Sequence, residues 1–280
     1  MNVNLTPSEF RLLRNYIEEN CGISLADEKA YLIETRLGKL MLDSGCTSFH
    51  HFYRLISEKT NRHLRDKVVD AMTTQETLWF RDNHPYAILK ERLLPEFAKR
   101  IRDGKQSRIR IWSAGASTGQ EPYSIAITIH EYCEKDSGIR KEHFDILATD
   151  ISPKAIAIAE AGRYDSIAMK RGLSDDWKER YFEEDDGEWT LDRRIRNMVR
   201  FDVFNLQDSP VGFGKYDIVF LRNVAIYFSV SLKRTILSNL THVLSPGGYL
   251  LLGAVESLFG LSEDFESLSF KGGTFYRCRT

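Results

Sequence analysis

Apolar residues in the first 71 positions recur with the spacing of amphipathic helices, and none of these segments alternates like a strand. Thr6-Pro7-Ser8-Glu9 supplies an N-cap, a proline at the first helical position and a capping-box glutamate. Thr47 is the expected cap of a third helix, and a fourth covers residues 61–71. The side chains predicted to point inward are Phe10, Leu13, Ile17, Ile33, Leu37, Leu40, Phe49, Phe52, Tyr53 and Ile56. The pattern predicts a small helical bundle.

After a helix that Pro85 opens, short apolar runs alternate with helical segments. The runs predicted as strands are residues 109–113, 145–149, 199–203, 216–221 and 249–253. The segments predicted as helices are residues 122–134, 153–161 and 231–244, the last one ended by Pro246-Gly247-Gly248. Pro122 suits the first position of its helix, because its missing N–H has no partner there. This order is typical of a mostly parallel, doubly wound α/β sheet.

Two segments lie outside this alternation. Residues 266–270 and 274–278 are joined by Lys271-Gly272-Gly273, which favours a hairpin and therefore an antiparallel strand at the sheet edge. Residues 189–197 follow the acidic, turn-rich segment 183–187. We expect them to form a small β element that projects from the sheet.

The charge, the cysteines and the length of the apolar runs argue against several classes of function. The formal net charge is −1 over 280 residues, which argues against a protein that binds nucleic acid by bulk electrostatic attraction. The four cysteines form no CxxC pair and no metal-ligand cluster, so we expect no metal site and a reduced, cytoplasmic compartment. No apolar run approaches the roughly 20 residues that span a bilayer, and we expect no membrane insertion.

The turn after the first strand carries the most chemical information. Gly115-Ala-Ser117-Thr-Gly119 matches the GxSxG elbow of hydrolases, and Asp217 and His242 are the available triad partners. No oxyanion segment precedes the turn, however, and His242 lies within an amphipathic helix. The glycines are also four apart, unlike the GxGxxG of dinucleotide-binding turns. A nucleoside ligand without a pyrophosphate, such as S-adenosylmethionine, fits the turn better.

Two acidic residues near this turn favour such a ligand. Asp150 follows the next strand, where a carboxylate accepts hydrogen bonds from both hydroxyls of a ribose. Its alternative role is a helix N-cap, but Ser152 directly before Pro153 is the better cap. Glu121 opens a helix, where an acid is favoured with or without a ligand. A carboxylate there could also receive the ligand's amino group.

Four ordered motifs resemble those of the chemotaxis protein-glutamate O-methyltransferases, the CheR type. They are Thr73-Thr-Gln-Glu-Thr-Leu-Trp-Phe-Arg81, Trp112-Ser-Ala-Gly-Ala-Ser-Thr-Gly-Gln-Glu-Pro-Tyr-Ser124, Ala148-Thr-Asp150 and Phe220-Leu-Arg-Asn-Val-Ala-Ile-Tyr-Phe228. The resemblance implies a Rossmann-like S-adenosylmethionine-dependent methyltransferase domain with a small β subdomain, preceded by an all-helical N-terminal domain. We place the helical domain at residues 1–71, a linker with cofactor-site residues at 72–84, and the methyltransferase domain at 85–280, with its β subdomain at about 180–200.

The resemblance also implies a set of site residues. Arg81 and Tyr227 would flank the methyl-transfer site. Residues that would contact the cofactor are Gln75, Thr77, Arg81, Ala114, Gly115, Glu121, Asp150, Asn205, Leu206, Arg222 and Asn223. Asp150 would take the ribose, Glu121 the methionyl amino group or a nearby polar group, and Asn205 with Leu206 the adenine. The chain departs from the family pattern at Gln75, Ala116, Gln120 and Ala225, and only the contact of Gln75 is weakened by this.

The implied reaction transfers a methyl group to glutamate side chains in the cytoplasmic helical domain of a chemoreceptor, and leaves S-adenosylhomocysteine. A methyltransferase with another acceptor and a non-catalytic nucleoside-binding module are the alternatives. Lys29, Arg36 and Lys39 form a basic stripe that either docks an acidic helix or is merely solvated. Some family members bind a receptor's C-terminal peptide through the β subdomain. Because segment 183–187 is short and acidic, we expect no such tether here. Separately, we expect a monomer.

Overall fold

A computed structural model describes residues 5–58, 60–136 and 138–279. The predicted domains begin at residue 1 and end at residue 280, so residues 1–4 and 280 of these domains lie outside the described residues. The N-terminal part contains α1 (Pro7–Cys21), α2 (Ala30–Asp43), α3 (Phe49–Ser57) and α4 (Arg62–Met72). Thr6 and Glu9 form the predicted capping box, and α1 ends at Gly22 with a φ of 73°. The four predicted helices are confirmed, and Leu13, Ile17 and Ile33 lie in their shared core.

The cap of α3 differs from the prediction. Ser48, not Thr47, has the extended backbone of a cap, and its Oγ accepts a hydrogen bond from the His51 N–H at 3.2 Å. Thr47 lies one residue too early for its hydroxyl to occupy this position. Both residues are good caps, so the sequence alone could not separate them.

The rest of the chain builds two sheets. In chain order its elements are α5 (His84–Ile88), a π-helical segment (Leu89–Leu93), α6 (Leu94–Arg102), β1 (Ile109–Ala114), α7 (Gln120–Cys133), β2 (Phe144–Asp150), α8 (Pro153–Ala161), β3 (Arg163–Asp165), α9 (Ser166–Met169), α10 (Asp175–Tyr181), β4 (Phe182–Asp185), β5 (Glu188–Leu191), α11 (Arg193–Arg196), β6 (Val199–Val203), β7 (Tyr216–Leu221), α12 (Val230–Val243), β8 (Leu244–Leu252), β9 (Phe265–Phe270) and β10 (Gly273–Cys278).

The large sheet has the strand order β6-β2-β1-β7-β8-β10-β9. Strands β6, β2, β1, β7 and β8 are parallel, whereas β10 and β9 are antiparallel. The predicted doubly wound sheet with an antiparallel hairpin at its edge is confirmed. Two predicted boundaries were wrong. Strand β8 begins at Leu244, so Pro246-Gly247-Gly248 lies within the strand and does not end the preceding helix. Helix α7 begins at Gln120, so Pro122 is its third residue and not its first.

The projecting β element is larger than predicted. It is an antiparallel sheet of order β3-β5-β4. The acidic segment 183–187 is not a linker, because Glu183–Asp185 pair with β5 as a strand. The predicted continuation of β5 to Asn197 is also wrong. Asp192 accepts a hydrogen bond from the Arg194 N–H at 2.6 Å and starts α11 instead.

The carboxyl ends of the central parallel strands meet at one edge of the large sheet. Ala114 at the end of β1 is in register with Thr149 of β2, and Ser113 is in register with Phe220 of β7. The segments that leave these strands therefore converge, as they do around ligands in open α/β sheets. In the described residues no helix is long and apolar enough to cross a bilayer.

Candidate active site

A cavity of about 870 Å³, partly open to solvent, lies where these segments converge. Eleven of the twelve predicted site residues line it: Gln75, Thr77, Arg81, Gly115, Glu121, Asp150, Asn205, Leu206, Arg222, Asn223 and Tyr227. Ala114 is the exception. It is fully buried at the end of β1 and precedes the glycine turn without lining the cavity.

The glycine turn supports the cavity with its backbone. The N–H groups of Gly115 and Ala116 donate to the Thr149 carbonyl at 2.8 and 2.9 Å, which ties the turn to β2. Gly115 has a φ of 87°, and a Cβ atom built on it would lie 2.2 Å from Cγ2 of Val224. Only glycine fits this position, because both the φ value and the contact exclude a side chain.

Asp150 is buried beside the turn and is held by backbone donors. Its carboxylate accepts hydrogen bonds from the N–H groups of Ser117 at 2.8 Å and Ser152 at 3.0 Å. Burial raises the pKa of the Asp150 carboxyl, although these donors act in the opposite direction. Ser152 caps α8 through Ala155, as the sequence indicated. Asp150 is therefore free of the capping role.

The geometry contradicts the hydrolase alternative. Ser117 Oγ is buried and has no hydrogen-bond partner in the structure. Asp217 accepts hydrogen bonds from the Gln106 side chain and the Arg110 N–H, and from no histidine. His242 is exposed on α12. No nucleophile and base are in contact here, as a hydrolase triad requires.

A buried guanidinium that lines the cavity joins two carboxylates. Arg222 is only 4 % exposed, and it donates to Glu121 at 2.9 Å and to Asp82 at 2.8 Å. Glu121 also accepts the Ser113 hydroxyl at 2.8 Å. Burial raises the pKa of the Glu121 carboxyl, with Arg222 acting in the opposite direction. The sequence did not identify Asp82, although it directly follows Arg81 of the first motif.

Glu256 is a second residue that the sequence did not identify. Its carboxylate accepts the N–H of Asn223 at 2.6 Å and that of Gly253 at 2.8 Å. Asn223 has a φ of 58°, so these bonds hold an uncommon backbone conformation in the turn after β7. The available signal was position, because Glu256 follows the carboxyl end of β8.

The segment before α5 and the residues after β7 form the mouth of the cavity. Gln75 donates to Thr73 at 3.0 Å, and Arg81 donates to the Glu76 carbonyl at 3.3 Å. Tyr227 is 38 % exposed, more than any other predicted site residue. Arg81 and Tyr227 therefore lie where a second reactant could enter.

One residue of the predicted basic stripe, Arg36, is engaged in hydrogen bonds. Arg36 donates to the Met72 carbonyl at 2.7 Å and to the Thr74 hydroxyl at 3.3 Å. Lys29 lies in the short 3-10 turn before α2, whereas Lys39 is exposed on α2. Arg36 thus fixes the segment that leads to Gln75, and docking of an acidic helix by the stripe stays a prediction.

One wall of the cavity comes from the N-terminal helices. Asn205 donates to the Asn20 carbonyl at 2.9 Å and accepts the Gln207 N–H at 3.0 Å. Its side chain therefore secures the wall, while Phe204 and Leu206 line it together with Cys21 and Ile23 from the N-terminal part. Apolar side chains of this kind suit the face of a nucleobase.

The cavity also contains polar atoms that lack partners. Seven buried side-chain nitrogen or oxygen atoms in the described residues have no hydrogen bond. Four of them belong to residues that line this cavity: Gln75 Oε1, Ser117 Oγ, Arg222 Nε and Asn223 Oδ1. Because buried polar atoms are normally paired, they indicate a polar ligand. The hydroxyl, ammonium and carboxylate groups of S-adenosylmethionine fit this set. In the residues that the structure covers, no cluster of His, Cys, Asp or Glu could hold a metal ion.

Comparison with known proteins assigns the chain. Two family models match it: the CheR methyltransferase all-alpha domain over residues 8–73, and the CheR methyltransferase SAM binding domain over residues 75–273. "Chemotaxis protein methyltransferase 1" of Pseudomonas aeruginosa is 45% identical over 97% of this chain and 98% of that protein. "Chemotaxis protein methyltransferase Cher2" of Pseudomonas putida is 43% identical over 97% and 98%. The corresponding protein of Salmonella typhimurium is 31% identical over 97% and 90%. The chain belongs to the CheR methyltransferase family: it is a methyltransferase whose cofactor is S-adenosylmethionine.

Proposed function

We propose that this enzyme methylates glutamate side chains in the cytoplasmic helical domain of a chemoreceptor. The observation that carries the proposal is the cavity, which combines Asp150, Glu121 and four unpartnered buried polar atoms with an open mouth at Arg81 and Tyr227. The relatives are named for chemotaxis, which supports a receptor as the methyl acceptor.

We infer the position of the cofactor from the chemistry of the lining residues. Asp150 is proposed to accept the ribose hydroxyls, since a carboxylate can accept two hydrogen bonds at once. Glu121 and Arg222 would hold the charged methionyl end. Phe204 and Leu206 would cover the adenine. Gly115, which the close approach of Val224 leaves without room for a side chain, would present its backbone to the cofactor.

In the proposed reaction, a carboxylate oxygen of the acceptor glutamate displaces sulfur at the methyl carbon. The cofactor supplies that methyl group on a positively charged sulfur, and the products are a γ-glutamyl methyl ester and S-adenosylhomocysteine. Because a solvated glutamate has a pKa near 4.3, its carboxylate is ionised at neutral pH and needs no general base. No proton is transferred, so the task of the protein is to align the reactants and exclude water.

Arg81 and Tyr227 are proposed to align the acceptor carboxylate. The positive charge of the methyl donor and the negative charge of the acceptor are both lost in the reaction, so a strong fixed charge would oppose it. Arg81 is partly exposed and hydrogen-bonded to a backbone carbonyl, which suits a positioning group. The Tyr227 hydroxyl can donate a hydrogen bond that orients the acceptor.

Arg81→Ala and Tyr227→Phe test these roles. We expect each variant to lower turnover by about 10- to 100-fold, since misplacement of reactants has effects of that order. S-adenosylhomocysteine affinity, measured by calorimetry, should change little. His242→Ala, at an exposed position outside the cavity, is the control. Wild-type turnover in both variants would show that the assignments are wrong.

Identification of the product separates the alternatives. Methyl transfer from labelled cofactor to a receptor fragment should give a base-labile ester. Base-stable label, or label on another acceptor only, would identify a different methyltransferase. Cofactor binding without transfer to any cellular acceptor would favour a non-catalytic module.

We infer that the helical domain covers residues 1–71 and the methyltransferase domain residues 85–280, with 72–84 as the linker. Separate hydrophobic cores support this division, because Phe10 to Met72 form one cluster. We also propose, as expected from the sequence, that the enzyme acts as a monomer.

We also propose that the small sheet binds no receptor tail. Both of its edge strands carry exposed charges: Glu183, Glu184 and Asp185 on β4, and Arg163 and Asp165 on β3. Charges along an edge oppose the addition of another strand, most of all one that ends in a carboxylate.

A further inference from the structure

Exposed apolar side chains are concentrated beside the mouth of the cavity. The described part of the chain exposes eleven large apolar side chains, and five of them lie in the two short segments 226–230 and 255–259. Phe259 is 95 % exposed and Val255 84 %. Single exposed apolar residues are common, but a group of them marks an interaction surface. We use the name apolar rim for Ile226, Val230, Val255 and Phe259.

Two of the four residues of the apolar rim line a second hollow that lies next to the candidate active site. Ile226 and Val255 line this hollow, together with Leu252 and Leu258. The neighbouring Tyr227 lines the active-site cavity. One turn, Ala225–Tyr227, thus separates the two hollows.

Hydrogen bonds hold the segment that carries Val255 and Phe259 in place. Glu256 accepts the Asn223 and Gly253 N–H groups, and the Ala254 N–H donates to Asp82 at 3.3 Å. Farther along, Arg234 donates to the Gly260 carbonyl at 3.1 Å. The apolar side chains are therefore presented to solvent by an anchored segment.

The chemistry at the mouth determines what can cover the apolar rim. A glutamate side chain is short, so the backbone that carries the target glutamate must come against the protein at Tyr227. On a helix, residues three and four positions away lie on the same face as that glutamate. Lys233 lines the second hollow and makes no ion pair with any described residue. Glu256 also lines this hollow, but its carboxylate already accepts two backbone N–H groups. The surface beside the mouth thus offers apolar contacts and one lysine without an ion pair in the described residues, which suit an amphipathic helix with acidic residues.

We propose that the apolar rim binds the acceptor helix of the receptor, contacting apolar side chains on the same face as the target glutamate. This inference rests on the proposed function. It adds the surface by which the enzyme distinguishes a glutamate on a suitable helix from other glutamates.

The test is the double variant V255S/F259S, assayed with a cytoplasmic receptor fragment. Both side chains are exposed in the free protein, so their replacement should not disturb folding, and S-adenosylhomocysteine affinity by calorimetry checks this. We expect KM for the fragment to rise about tenfold, as for residues central to an interface, with kcat nearly unchanged. The matched control is I167S/V211S, at positions 70 % and 61 % exposed elsewhere on the surface.

Each outcome decides the inference. An unchanged KM in V255S/F259S, with an active wild type, would refute the apolar rim as a receptor surface and leave the proposed function intact. An equal rise in the control would refute it as well. A photocrosslinker at position 259 that captures only a second copy of this chain would assign the surface to self-association. If the wild type transfers no methyl to the fragment, the proposed function fails first, and the partner inferred here fails with it.

Discussion

At the scale of single residues, Asp150 shows two opposing requirements: a buried position in the cavity and a charged carboxylate. Its carboxylate lies buried in the cavity where the cofactor is proposed to bind, yet burial disfavours its charge and raises its pKa. The pKa of Asp150 in the folded protein lies above its value near 3.9 in the unfolded chain. Asp150 therefore makes its full contribution to the stability of the ligand-free protein at a pH below about 3.9. The contribution is lost as the pH rises through the raised pKa.

Cofactor binding should show the reverse dependence on pH. Ribose hydroxyls donate to the ionised carboxylate, so affinity for S-adenosylhomocysteine should increase as the pH rises through the raised pKa, with release of protons. Calorimetry in two buffers of different ionisation enthalpy measures this release. Asp150→Asn should bind about tenfold more weakly or worse and release fewer protons. Equal proton release in the variant would contradict this prediction.

Two acidic residues of the site were predicted from the sequence and two others were not. The two pairs differ in the contacts they make. Asp150 and Glu121 were identified because they occupy recognisable positions at the ends of strands and the start of a helix. Asp82 and Glu256 act through Arg222 and through backbone N–H groups of a distant turn. Such contacts depend on how separate segments meet, which single-sequence periodicity does not report.

At the scale of elements, the turn between β1 and α7 is the most constrained part of the site. Its backbone is tied to β2, and Val224 from the turn after β7 packs directly against Gly115. Any side chain at this position would push two strand ends apart. The cavity depends on the spacing of those ends, so cofactor affinity should respond to changes here.

Gly115→Ala tests this constraint, with Gly45→Ala as its matched control. Both glycines have positive φ, 87° and 75°, but a Cβ atom on Gly45 meets nothing within 4 Å. The control should lose about 1 kcal/mol of unfolding free energy from backbone strain alone. Gly115→Ala should lose about 1–3 kcal/mol more and bind the cofactor weakly. Denaturant titration measures the unfolding free energy, and calorimetry measures the cofactor affinity. Equal losses of unfolding free energy in the two variants would mean that Val224 moves aside without a loss of stability.

Periodicity predicted the elements unevenly. The long buried strands β1, β2 and β7 have near-continuous apolar runs, and their boundaries were predicted to within one residue. The small sheet was only partly predicted, because β3 has three residues and β4 reads as an acidic loop. Its strands are defined by pairing with β5, a long-range property that local pattern does not contain.

At the scale of the whole molecule, the cavity joins the N-terminal helices to the large sheet. Cys21 and Ile23 face it from one side and Phe204 and Leu206 from the other. Asn205 and Gln207 donate to carbonyls of α1, and Ser152 donates to Asp70 of α4 at 2.5 Å. A ligand in the cavity should therefore stabilise contacts on both sides.

Hydrogen exchange should report this coupling. On addition of S-adenosylhomocysteine, we expect slower exchange in residues 18–24 as well as in 204–207. Helix α3 does not line the cavity, so its exchange through local opening should change little. Protection confined to the sheet side would show that α1 takes no part in cofactor binding.

Two backbone contacts join the chain after α1 to the turn after β7, and they matter when the N-terminal helices are swapped between homologues. Ile23 pairs with Phe228, and the Ser24 N–H donates to the Tyr227 carbonyl at 2.9 Å. The backbone of the proposed catalytic tyrosine is thus fixed by the chain just after α1. A chimera that takes its N-terminal helices from a relative inherits a new support for Tyr227 while it keeps the apolar rim, so turnover should change in such hybrids even where the receptor-binding surface is the same.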